Sequence, residues 1–250
     1  MKETFLARSQ AANEVLKTAN LIKNLRINAI ITGESGTGKS LLARMVMPEA
    51  PVVDAAAGDD VEEMLRRNEE LIIENFNRVP NFDRLQLGDK KIVATCATRM
   101  DDAVIDRFFG IKMEIPPLAK RPEDVAPIAE YFLDEARATL MVDRKVDVGK
   151  LPLDLSRNCH SLKKSVYFSL LMDNIEEGDL MRLMEKYLID RLEGNNAYRE
   201  NLHLFDRPII EAGLKKYGSQ LKLSEVLGIN RNTLRKKVYE LGIDTDVKKG

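Results

Sequence analysis

The chain has 250 residues, of which 44% are hydrophobic and 32% charged, with a formal net charge of −1. This suffices for a buried core and for one to three domains. No apolar run approaches the ~18–20 residues of a membrane span, and Met1-Lys2-Glu3-Thr4 leads into no signal-like apolar stretch. The expectation is a cytoplasmic protein without membrane contact, in which Cys96 and Cys159 are ordinary reduced thiols lacking metal-ligand spacing.

In chain order, Glu14–Leu25 has helical spacing, with apolar Val15, Ala19, Leu21 and Ile22 and with Asn13 as the expected N-cap. Short apolar strands follow at Ile27–Thr32, Pro51–Asp54, Leu71–Glu74, Lys91–Thr95 and Lys112–Ile115, with helical stretches between several of them. This alternation predicts a parallel α/β sheet flanked by helices. Pro116 and Pro117 end it, and from Glu123 onward only helical patterns occur. Among these, 179–192 carries an apolar face of Leu180, Leu183, Met184, Tyr187 and Leu188.

Between the first strand and the helix that follows it stands Gly33-Glu34-Ser35-Gly36-Thr37-Gly38-Lys39-Ser40. Strand, glycine-rich loop and helix start together form a phosphate-binding loop. Its glycines let successive N–H groups point at phosphate oxygens, and the helix dipole adds positive potential. Lys39 is expected to reach the β- and γ-phosphates of ATP or ADP, and Ser40 to ligate Mg²⁺.

The second strong pattern lies near the C-terminus. Leu221, Leu223, Val226 and Leu227 are the expected apolar face of one helix, and Gly228 permits a tight turn. Asn230 would cap a second helix, Gly242 would stop it, and Leu234, Val238 and Leu241 would face the core. Arg231, Asn232, Thr233, Arg235, Lys236 and Lys237 remain on the other faces. That is a helix-turn-helix, with Arg231, Asn232, Thr233 and Arg235 early enough to reach base edges and Lys236 and Lys237 placed for phosphates. Charge agrees: from His203 to Gly250 ten Lys/Arg face six Asp/Glu, leaving 29 of the 39 basic and 34 of the 40 acidic residues to the remainder. A basic tail on an acidic body suggests an anionic partner.

The phosphate loop, Pro116-Pro117-Leu118, Arg121-Pro-Glu-Asp-Val and the Gly-Ile-Asn-Arg-Asn-Thr-Leu-Arg-Lys-Lys that starts at Gly228 together resemble the bacterial enhancer-binding proteins. These are sigma-54-type activators, an AAA+ ATPase followed by a Fis-type helix-turn-helix. The resemblance implies a P-loop AAA+ sheet over 1–118, a helical lid over 119–177 and a Fis-type dimerisation and DNA-binding domain over 178–250. It implies self-association as a dimer or higher oligomer, a palindromic double-stranded operator and RNA polymerase as a further partner. The receiver domain common in the family is expected to be absent.

Several departures qualify what carries over. The family's second acidic motif ends Asp-Glu, but here the strand ends Glu74-Asn75. Glu74 can still support Mg²⁺, whereas Asn75 cannot take a proton, and loss of a general base typically costs ~10²–10⁴-fold. Hydrolysis is therefore expected to be very slow. The sigma-54-gripping Gly-Ala-Phe-Thr-Gly-Ala string occurs nowhere, and only 34 residues separate Lys39 from Glu74. Arg107 matches one of the family's two finger arginines, and the other falls near Asp101 with Arg99 close by. His160 stands where the lid's sensor arginine belongs. Neutral His lacks the permanent, bidentate charge of Arg, and a lone helix histidine is more often a surface or core residue.

The resulting expectation is a nucleotide-binding, DNA-binding transcriptional regulator that has lost sigma-54 remodelling and at most hydrolyses ATP weakly. A slow ATPase working on another partner, and an architectural DNA-binding protein with a structural AAA+ platform, stay open as alternatives.

Overall fold

A computed structural model describes residues 4–80, 82, 85–97, 100–142, 145–172 and 175–244. The chain divides into two compact units, Met1–Asn174 and Ile175–Gly250.

The first unit is built on five parallel strands, β1 (Ala29–Thr32), β2 (Val52–Asp54), β3 (Glu70–Glu74), β4 (Lys91–Cys96) and β5 (Ile111–Glu114), in spatial order β2-β3-β4-β1-β5. Both faces are covered, so the strands read as continuous apolar runs. Successive side chains nonetheless alternate between two cores. Ala29, Ile31, Ile72 and Val93 pack with α1 (Gln10–Ile22) and α2 (Lys39–Val46). Ile30, Leu71, Ile73 and Ile92 pack on the other side with α3 (Val61–Arg67), α4 (Asp102–Phe108) and a cluster of Phe76, Phe82, Phe108 and Phe109. A lid follows, made of α5 (Pro122–Leu140) and α6 (Cys159–Met172) closed over Leu118, Ile128, Leu133, Leu162 and Val166.

The start of α1 differs from the expected one. The helix begins at Gln10, and its N-cap is Ser9, whose Oγ accepts from the Ala12 N–H at 3.3 Å. Asn13 lies inside the first turn and donates back to the carbonyls of Arg8 and Ser9. The cause is tertiary: the Asp124 carboxylate, at the start of α5, accepts from Ser9 N and Ser9 Oγ, both at 2.8 Å. Leu21 is also on the wrong side, 71% exposed, because the buried stripe runs Ala12, Val15, Ala19 and Ile22.

The second unit contains α7 (Glu177–Ile189), α8 (Ala197–Asn201), α9 (His203–Tyr217), α10 (Gln220–Leu227) and α11 (Arg231–Glu240). Its core is Ile210, Leu214, Leu223, Leu234, Val238 and Ile243. α9 and α10 approach so closely that a Cβ on Gly213 would lie 2.2 Å from Leu223 Cδ1. Leu221 and Val226, expected to face inward, are exposed. α10 is only two turns long, and its inner contact narrows to the i, i+4 pair Leu223 and Leu227. No residue of α7 is buried, so Leu180, Leu183 and Tyr187 stay exposed.

Candidate functional site

The phosphate loop leaves the C-terminal end of β1, an interior strand between β4 and β5, and Gly38 caps α2 with φ 105°. Gly36 has φ 80°, a conformation that side chains resist, and a Cβ there would lie 2.7 Å from the Arg157 carbonyl oxygen and 2.7 Å from His160 Cδ2. The loop is braced on itself: Lys39 Nζ donates to the Glu34 carbonyl at 2.7 Å and Thr37 Oγ1 to the same oxygen at 2.9 Å. Burial lowers the Lys39 pKa from its ordinary value, against the opposing pull of Cys96 and Glu74. Ser40 is exposed in the first turn of α2, with its hydroxyl available to a cation.

Three groups lock the lid to this loop. Arg121, 1% exposed, donates from Nη2 to the Thr37 carbonyl at 2.8 Å and pairs with Asp124 at 3.6 Å. Its Nε is buried without a hydrogen-bond partner. Asn158 donates to Glu34 Oε2 and to the Ser35 carbonyl, and the Cys159 N–H donates to the Gly36 carbonyl at 3.0 Å. Burial raises the Cys159 thiol pKa, partly offset by Arg121.

A cavity of about 500 Å³ opens between loop and lid. Ser35–Leu41, Glu74, Asn75 and His160 line it together, so expected nucleotide residues from the loop, the end of β3 and the lid converge, while Gly33 and Glu34 lie outside the lining. Its outer wall is Phe5, Tyr131, Phe132 and Lys163, the last bound to Glu135 at 2.7 Å. A glycine-rich loop at a helix start, the buried Lys39 ammonium and a cavity lined by both polar and apolar side chains fit a nucleotide, and Ser40 and Glu74 on its lining could offer oxygens to a divalent cation.

Arg107 does not line this cavity. It sits on α4 with its guanidinium 5.0 Å from the Phe108 ring centroid. Arg99 lies outside the described residues.

Asn75 has φ 53°, a left-handed conformation in which Asn is among the least strained side chains. Its Nδ2 donates to Asp54 Oδ1 at 2.7 Å, and its N–H points to Thr95 Oγ1 at 3.4 Å. A glutamate at 75 would have to adopt the same left-handed backbone and would bring a second carboxylate to Asp54.

In the second unit, Arg231, Asn232, Thr233 and Arg235 are exposed on α11. Asn230 Oδ1 accepts from Asn232 N at 2.8 Å and starts the helix as expected. Lys236 is exposed beside Glu240, at 3.7 Å. Lys237 corrects the sequence reading: its ammonium is ion-paired with Asp206 of α9, so it braces the unit. The reason is packing, since Lys237 is next to core residue Val238 and leans onto α9.

Sequence reasoning passed over Asp54, Thr95, Arg121 and Asn158 as site residues. Asp54 comes to the site through the register of β2 on β3, which puts it opposite Glu74.

Residues 5–62 match the family described as Sigma-54 interaction domain, and residues 202–241 match Bacterial regulatory protein, Fis family. Over these two segments the chain is similar to the sigma-54 activators. Among curated proteins, the nitrogen assimilation regulatory protein NtrX of Azorhizobium caulinodans is 21% identical, over 96% of this chain and 69% of that protein. The DNA-binding transcriptional regulator NtrC of Rhizobium meliloti is 22% identical, over 95% and 69%. The NtrX alignment runs over 314 residues, more than the 250 of this chain, so it skips stretches that the relative has and this chain lacks. Crystal structures of NtrX from Brucella abortus with ATP and with ADP superpose with TM-scores of 0.57, at 18% and 19% identity, over 97% of this chain and 71% and 70% of those chains. The first unit thus shares the α/β fold of these structures, and residues 202–241 in the second match the Fis family. No helix among the described residues is long and apolar enough to cross a membrane.

Proposed function

We propose that this chain is a sequence-specific DNA-binding transcriptional regulator whose oligomeric state is set by bound ATP or ADP, and that it does not remodel sigma-54 polymerase. The observation that carries the nucleotide reading is the closure of the lid on the phosphate loop through Arg121, Asn158 and Cys159. A ligand bridging these parts ties the lid to the sheet. NtrX of Brucella abortus, with a similar fold, holds ATP and ADP in its crystals. Mg²⁺ at Ser40 and Glu74 would neutralise phosphate charge. Nucleotide at 100 times its dissociation constant adds ~2.7 kcal/mol to the bound state, enough to switch a marginal oligomer.

Two features support the loss of remodelling. The chain between Asp54 and Glu70 forms only a turn and the seven-residue α3. No Gly-Ala-Phe-Thr-Gly-Ala string occurs in the sequence. For self-association, the exposed Leu180, Leu183 and Tyr187 of α7 supply an apolar face for a second copy. Two copies of α11 related by a two-fold axis would read a palindrome in major grooves about one helical turn apart.

Calorimetry with Mg²⁺ tests the nucleotide reading. ATP and ADP are expected to bind the wild-type chain, and Lys39→Ala to abolish binding. Absence of heat with either nucleotide contradicts it.

A further inference from the structure

We infer that Asn75 and Asp54 act as one water-positioning pair, through which the cavity hydrolyses a nucleoside triphosphate despite lacking a carboxylate at position 75. The inference rests on the nucleotide reading above and adds turnover to it.

The register of β2 against β3 sets Asp54 beside Glu74 at the C-terminal edge of the sheet, next to Asn75. Asn75 Nδ2 lies 2.7 Å from Asp54 Oδ1. An ionised carboxylate only accepts, so the chemistry itself fixes the amide: its NH₂ faces Asp54 and its oxygen faces away. Asp54 is anchored in turn. Its Oδ1 also accepts from Ala56 N at 2.9 Å, and its own N–H donates to Asp59 Oδ2 at 2.9 Å. The Ala55 N–H donates to the Glu74 carbonyl at 3.1 Å, which ties this turn to β3. The left-handed backbone at Asn75 is thus held in place at the cavity lining. Asn75 lines the cavity together with Lys39, Glu74 and Thr95.

An amide oxygen on that wall is an acceptor for one water. Phosphoryl transfer needs little more from the protein than positioning and charge stabilisation, and amide side chains orient the attacking water in other phosphate-loop enzymes. The water oxygen forms the new bond to the γ-phosphorus. The bond from that phosphorus to the β–γ bridging oxygen breaks, and its electron pair leaves with the nucleoside diphosphate. The proton released by the water passes to the departing phosphate and then to solvent. Asn75 takes no proton, and Asp54 is a positioning residue that keeps the Asn75 oxygen turned to the cavity. Without a base the rate is low, but it is a property of this pair.

The test uses the whole 250-residue chain with Mg²⁺ and ATP, measuring single-turnover phosphate release, and ADP calorimetry in parallel. Wild-type turnover is expected to be slow and to vanish in Lys39→Ala. Asp54→Ala and Asn75→Ala should each lower it about tenfold or more while ADP affinity stays unchanged. The double variant should be no slower than either single one, as befits a pair acting as a unit. Asp54→Asn, which keeps an acceptor, should retain more turnover than Asp54→Ala. In amide spectra of the nucleotide-free chain, the Asn75 side-chain NH₂ resonances should move in Asp54→Ala. Absence of ADP binding by the wild type removes the nucleotide reading itself. ADP binding without Lys39-dependent turnover, wild-type turnover in Asp54→Ala, or additive losses in the double variant overturns this inference alone.

Discussion

Asn158 at the root of the lid holds Glu34 of the phosphate loop: its Nδ2 donates to Glu34 Oε2 at 3.1 Å and to the Ser35 carbonyl at 3.0 Å. Its Oδ1 accepts from the Leu118 N–H at 2.6 Å, and the residue is 2% exposed with φ 54°. Asn158→Ala removes all three bonds, leaves a buried N–H unpaired and puts Ala in a left-handed conformation. The expected cost is about 2–4 kcal/mol. Calorimetric melting of the full chain should show an earlier transition for the first unit, by roughly 2–4 °C per kcal/mol. An unchanged transition would mean that Asn158 does not join lid to loop.

Gly36 carries the loop's closest approach. Gly36→Ala would bring Cβ to 2.7 Å from the Arg157 carbonyl oxygen and from the His160 ring, at φ 80°. Backbone cannot yield as a flexible side chain does, so the lid should move off the loop. ATP and ADP affinity should fall about tenfold or more, equivalent to about 1.4 kcal/mol. Titration of the variant against wild type checks this, and equal affinities would contradict it.

On DNA, exposed Arg235 and exposed Lys236 should behave differently. Arg235→Ala should lose about 1–3 kcal/mol of discrimination between specific and scrambled duplexes. Lys236→Ala should weaken both alike and reduce the salt slope by about one. Lys237→Ala should chiefly lower the stability of the second unit, because its ammonium is committed to Asp206. A salt-titrated binding series beside thermal melts separates the three outcomes. Equal loss on both duplexes for Arg235→Ala would refute base readout by that residue.

In a purified transcription assay, sigma-54 polymerase is expected to form no open complex in response to this chain and ATP. The β2–β3 connection offers only a turn and α3 to reach a partner. Open complexes that require both the protein and ATP would contradict this.

The strands and the phosphate loop were legible because both are local. Buried parallel strands are continuous apolar runs, and the loop's glycines and Lys-Ser end are contiguous in sequence. The convergence of Glu74, Asn75 and His160 on the cavity was partly legible, through the resemblance to a family. Contacts over long separations were not. Nothing near Ser9 announces that Asp124 will hold it, and Asn13 is an equally good local cap. Lys237 reads as one more cation on a basic helix until α9 brings Asp206 to it. Asn75 reads as a missing base, whereas its backbone conformation and its bond to Asp54 emerge only when β2 is laid beside β3.

The central claim, that nucleotide governs a DNA-binding assembly, is tested most directly by measuring operator affinity and oligomeric mass of the full chain with no nucleotide, with ADP and with ATP. The account predicts that mass and affinity change together on nucleotide addition, and that Lys39→Ala stays at the nucleotide-free values throughout. Identical mass and affinity in all three conditions, in a protein that calorimetry shows to bind ATP and ADP, would contradict it.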